Sequence, residues 1–131
     1  EYGGYGDPGF DIGSYVCGGE HTLAESDRIL FTYFRRKPTE KQKRHFYAYI
    51  AITGCFFMHW SMLKLSKGQG VGPLKERWYH FAKNMSIVAL PMYGVDVDKE
   101  QYDAAMAALV DCELEDLSFL NYEIGVYEEV K

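Results

Sequence analysis

The sequence predicts a mostly α-helical chain built on a single transmembrane helix. An extended arm rich in glycine and aromatics precedes the helix, a helical, acidic arm follows it, and no independent globular domain is expected. Three observations carry this. Residues 46–63, FYAYIAITGCFFMHWSML, hold no Lys, Arg, Asp or Glu. Apolar residues recur at helical spacing on both sides of that run. Charge is divided along the chain: residues 1–95 hold 12 Lys and Arg against 8 Asp and Glu, and residues 96–131 hold 2 against 11. A split this sharp places the two ends in different surroundings.

Composition sets the outer bounds. The chain has 131 residues, 47% of them apolar and 25% charged, which excludes disordered and collagen-like classes. Cys17, Cys55 and Cys112 are scattered and form no CxxC pair, so neither a disulfide framework nor a zinc site is expected. The cations bracket an apolar run, which is not the pattern of a nucleic-acid surface.

Residues 1–44 read as the N-terminal arm. The first nineteen, EYGGYGDPGFDIGSYVCGG, include seven glycines interleaved with aromatics, and are expected to hold no regular helix. A short amphipathic helix is expected from about Thr22 to Phe34, carrying Leu23, Ile29, Leu30, Phe31 and Phe34 and ending before Pro38. Arg35, Arg36, Lys37, Lys41, Lys43 and Arg44 follow, against the one acid Glu40.

Residues 45–65 read as the transmembrane helix. Eighteen uncharged residues span about 27 Å as a helix, close to the hydrocarbon thickness of a bilayer. Tyr47 and Tyr49 at one end and Trp60 at the other suit interfacial aromatic belts, and Lys64 can snorkel. At 100° per residue, Ala48, Ala51, Cys55, Met58, His59 and Met62 share one face. Small residues there let helices approach closely in lipid, so this face is expected to pack on another membrane protein. Phe46, Tyr49, Ile50, Thr53, Phe57 and Trp60 fall mostly on the other face, expected to meet lipid. His45 and His59 lie about 21 Å apart on one helix and cannot share an iron. His59 is expected to hydrogen-bond a neighbouring subunit or interfacial water. The denser cations before the span favour an N-terminus on the cytoplasmic or matrix side.

Residues 66–131 read as the C-terminal arm. Gly68, Gly70, Gly72 and Pro73 break the chain, and no GK[ST] follows to make a phosphate loop. Leu74, Trp78, Ala82, Met85 and Ala89 then form one helical stripe, which Pro91 stops. A last helix is expected from Asp98 to about Cys112, with Tyr102, Ala105, Met106 and Leu109 on one face and Asp96 or Asp98 as its cap. The tail from Glu113 is expected to be extended. No catalytic constellation, cofactor site or metal site emerges: HExxH, P-loop and triad spacings are missing, and Asp96, Asp98 and Glu100 lack the rest of an EF-hand.

Three segments, in order, resemble one known family. Gly3-Gly4-Tyr5-Gly6 is similar to its N-terminal GGYG. Met58-His59-Trp60-Ser61-Met62-Leu63-Lys64 resembles its GHWSIMKW at the end of a single span. Ser86 to Met92, with Ala89-Leu90-Pro91 at its centre, resembles its RIALLPLLQAE segment. The family is the GRIM-type accessory subunit of mitochondrial complex I, NADH:ubiquinone oxidoreductase. The resemblance implies a non-catalytic, single-span subunit of the mitochondrial inner membrane that supports assembly and stability of the complex. Its N-terminus would lie in the matrix near the quinone-binding region and its C-terminus in the intermembrane space. Its partners would be core and accessory subunits of complex I and inner-membrane lipids, with no nucleic acid, no small-molecule substrate and no cofactor. The glycine-rich break after the span and the segments 7–34 and 113–131 depart from the family pattern. Two other readings stay open: a single-span subunit of cytochrome oxidase, ATP synthase or a photosystem, and a soluble helical interaction domain with the apolar run as its core helix.

Overall fold

A computed structural model describes residues 6–110. Among these residues the fold is all helical: α1 spans Pro8–Gly19, α2 Leu23–Phe34, α3 Glu40–Ser66, α4 Leu74–Ala89 and α5 Lys99–Val110. A 3-10 turn at Leu90–Tyr93 follows α4.

α1 corrects the expectation of an extended thread. Asp7 precedes Pro8, and its side chain accepts a hydrogen bond from the Gly9 N–H at 2.8 Å, while the proline ring presets the first turn. The glycines that weaken this helix in isolation let it approach α3. A Cβ at Gly13 would lie 2.8 Å from the Tyr49 carbonyl oxygen and 2.9 Å from the Thr53 hydroxyl. Tertiary contact thus overrides propensity. Asp7 also pairs with His45 Nε2 at 2.7 Å, tying the start of α1 to α3.

Capping boxes set the next two starts, with Thr22 paired to Glu25 and Thr39 paired to Gln42. α3 runs 27 residues and is long and apolar enough to cross a membrane. It begins within the basic stretch, five residues before the expected 45. Residues 67–73 break the chain as expected. α4 then runs back along α3. Phe57 and Trp60 face Trp78 near one end, and Arg44 reaches the Met92 carbonyl and the Tyr93 ring near the other. Between them, a Cβ at Gly54 would meet the Ala82 Cβ at 2.8 Å. Pro91 turns the chain, Gly94 closes the turn at φ 77°, and the Asp98 carboxylate accepts from the Gln101 N–H to start α5.

The helices share one core. Val16 and Cys17 of α1, Leu30 of α2, Ile50 of α3, Met85 of α4 and Ala105 of α5 are all buried. The α4 stripe read from spacing is the one that packs, widened by Phe81 and Val88, and Ala105 and Leu109 carry α5 as expected. Among the described residues, α1 and α4 pack on α3, and α5 packs on α4.

The Asp7 carboxyl is held below its ordinary value, chiefly by the Gly9 N–H and then by His45. A depressed carboxylate stabilises the fold above its unfolded value and stops doing so as pH falls through the folded one. Acidification below about pH 4 is therefore expected to open the first turn of α1 selectively. Amide hydrogen exchange at Gly9 to Gly13 should rise there in the wild type, and Asp7→Asn should remove that pH dependence.

Candidate apolar docking face

α3 has two faces, both apolar in its second half. The inner one, with Phe46, Tyr47, Ile50, Ala51, Thr53, Gly54 and Ser61 buried, is covered by the chain's own helices. This corrects the assignment of Phe46, Ile50 and Thr53 to lipid. Phe57, placed with them, is half-buried with its ring 5.2 Å from that of Trp78.

The outer face is exposed along most of its length, with Phe56 at its edge meeting the Phe10 ring of α1 at 5.7 Å. Ile52 is 55% exposed, Phe56 39%, Met62 51% and Leu63 52%, and Cys55 and His59 are exposed between them. They follow one another at intervals of three and four, which makes one stripe. A stripe this long and uncharged is a candidate surface for an apolar partner.

Most of the residues assigned from sequence to a partner-packing face lie on or beside this stripe. Cys55, His59 and Met62 are on it, and Ala48 and Met58 are half-buried at its edges. Ala51 is the exception: it is buried in the chain's own core. Ile52, Phe56 and Leu63 were missed, although they sit within 60° of Cys55 or His59 on the same helical wheel.

His59 Nδ1 donates to the Cys55 carbonyl at 2.7 Å, one turn back on its own helix. Trp60 is 37% exposed and lies under the Lys64 ammonium, 5.2 Å from its ring centroid. Ser61 is buried and its hydroxyl donates to the Met58 carbonyl. Ala89 is buried, Leu90 is exposed, and Pro91 begins the 3-10 turn. Because α3 and α4 are antiparallel, the His59-Trp60-Ser61 and Ala89-Leu90-Pro91 motifs sit at opposite ends of the pair. Gly6 is exposed ahead of α1. Gly3, Gly4, Tyr5, Cys112 and the acidic tail lie outside the described residues. Among the described residues, no three His, Cys, Asp or Glu side chains gather as metal ligands.

The two described cysteines differ sharply. Cys17, on the inner side of α1, is fully buried, and burial pushes its thiol up to about 12. Cys55 is exposed on the outer stripe. Maleimide is expected to label Cys55 within minutes in the isolated chain and to leave Cys17 untouched. Protection of Cys55 in native membranes, read by mass spectrometry, would show that the stripe is covered there.

Comparison of the chain with family models, with curated proteins and with solved structures gives no match.

Proposed function

We propose that the chain is a non-catalytic accessory subunit of a membrane assembly and that the outer face of α3 is its docking surface. The observation that supports this is the exposed stripe of Ile52, Cys55, His59, Met62 and Leu63, on a helix whose opposite face is covered by its own chain. Complex I is the assembly proposed, on the motif resemblance alone. In that reading the subunit sits in the mitochondrial inner membrane, with its N-terminus in the matrix and its C-terminus in the intermembrane space. It would contribute to assembly and stability by spreading contacts over several neighbours. Weak contacts held on one body raise each other's effective concentration.

One observation favours a second reading of how α3 sits. Ala82 touches the middle of the charge-free run at Gly54, and its neighbour Lys83 is exposed. A lone lysine at that depth in a bilayer costs about 2.5–3.5 kcal/mol on insertion scales. With α4 in place, α3 would lie with its outer face against the assembly or the bilayer surface, without crossing alone.

The test is carbonate extraction of native membranes, followed by mild detergent, native gel separation and mass spectrometry. Co-migration with NADH dehydrogenase activity and complex I core subunits supports the first reading. Co-migration combined with release by carbonate selects the peripheral one. Migration with cytochrome oxidase, ATP synthase or a photosystem removes complex I and keeps the docking face. Absence from both membranes and assemblies overturns the proposal.

A further inference from the structure

The basic corner where α2 turns into α3 is not absorbed by the docking face. Arg35, Arg36, Lys37 and Lys41 are all exposed within seven residues. Two cations nearby are already engaged: Lys43 pairs with Asp27 at 2.8 Å, and Arg44 lies over the Tyr93 ring and reaches the Met92 carbonyl. Arg36 lies over the Phe34 ring. Arg35, Lys37 and Lys41 have no side-chain partner among the described residues, and Glu40 is the one acid between them.

Their placement matters as much as their charge. Lys41, Ala48, Ile52 and Cys55 fall on one line along α3, so the cations head the apolar stripe. Lys41 and Ile52 are about 16 Å apart along the helix, close to half a bilayer's hydrocarbon thickness. A lone phosphate would satisfy the cations and leave the stripe bare. A purely apolar protein surface would cover the stripe and leave the cations unpaired. A phospholipid with an anionic headgroup satisfies both, with its phosphodiester on Lys37 and Lys41 and its acyl chains along Ala48, Ile52 and Cys55.

We propose that this corner and the first turns of the outer stripe form a binding site for an anionic phospholipid of the bilayer. The proposal rests on the reading that the outer face of α3 meets a membrane. It holds whether α3 crosses the bilayer or lies against it, because the cations sit at headgroup level in both cases. The flanking acid and the engaged neighbours limit the attraction to about three uncompensated cations.

The test is flotation of the purified full-length chain with vesicles of phosphatidylcholine alone and of phosphatidylcholine containing a quarter phosphatidylglycerol. At low salt the anionic vesicles are expected to bind at least tenfold more tightly. Each cation near an anionic surface contributes about fivefold, so K37A/K41A should lower that binding about twenty-five-fold. Lys83→Ala, on α4 away from the corner, should leave it unchanged. Inorganic phosphate at millimolar concentration should not compete, which separates a lipid site from a free-anion site. Equal binding to both vesicle types in the wild type would overturn the proposal while keeping the apolar docking face. Binding to neither would overturn both. An equal loss for Lys83→Ala and K37A/K41A would also overturn it, because the effect would then be diffuse charge.

Discussion

Gly54→Leu is expected to lower the melting temperature of the isolated chain by about 10–20 °C. The Gly54 Cα faces α4 so closely that a Cβ would already lie 2.8 Å from the Ala82 Cβ and 3.2 Å from its Cα. Both neighbouring atoms belong to a helix that cannot step aside without carrying Trp78, Phe81 and Met85 with it, and all three are buried. Leucine adds three further carbons to that clash. Overpacking of this kind costs about 1–3 kcal/mol, with values at the upper end where the obstructing atoms are close to backbone.

The sign of the effect is as informative as its size. Glycine inside a helix costs about 1 kcal/mol relative to better helix formers. If α3 stood apart from α4, the same substitution would stabilise the helix. Thermal melts followed by circular dichroism in mild detergent separate the two outcomes. Gly70→Ala is the control: no atom lies within 4 Å of its Cβ position, so its melt should match the wild type. A Gly54→Leu melt at or above that of the wild type would mean that α4 does not lie on α3, and the inner and outer faces would lose their meaning.

The elements that were legible in the sequence are those whose apolar period stands clear of competing signals. Leu74, Trp78, Ala82, Met85 and Ala89 predict α4, and Ala105 with Leu109 predicts α5, because each buries one stripe and leaves the rest polar. α1 was not legible, since seven glycines in the first nineteen residues outweigh the Asp7-Pro8 start signal when each residue is scored alone. What decides the matter is Gly13 against the Tyr49 carbonyl, a long-range contact that no local pattern encodes. The same blindness governs α3. An apolar run without charges shows only that both faces avoid water. Which face is covered by the chain itself depends on where α1 and α4 return, so Phe46, Ile50 and Thr53 were assigned outward and proved to be inside. Of the residues assigned to a packing face, Cys55, His59 and Met62 are exposed and Ala51 is buried, because the helical period sorts residues by face without saying what each face meets.

Ile52→Asp is expected to leave the isolated fold intact and to weaken docking about a hundredfold. Ile52 is 55% exposed, so replacing it removes little of the core, and its effect on the melting transition should stay within about 0.5 kcal/mol. Docking is different. Whatever covers the stripe, bilayer or subunit, must remove water from position 52. A carboxylate buried there without a partner loses its hydration, at about 3 kcal/mol on insertion scales, and about 1.4 kcal/mol is tenfold in affinity. Ala51→Asp, one residue along, is the comparison that makes the result specific. Ala51 is 7% exposed in the chain's own core, so its variant should fail in the melt before docking is measured. The readout pairs circular dichroism of the isolated variants with native-gel co-migration from membranes expressing them. Ile52→Asp that melts like the wild type and leaves the assembly band identifies the outer face as the docking surface. Ile52→Asp that melts like the wild type and stays in the band places docking elsewhere on the molecule, because a charge at the centre of a true apolar interface cannot be silent.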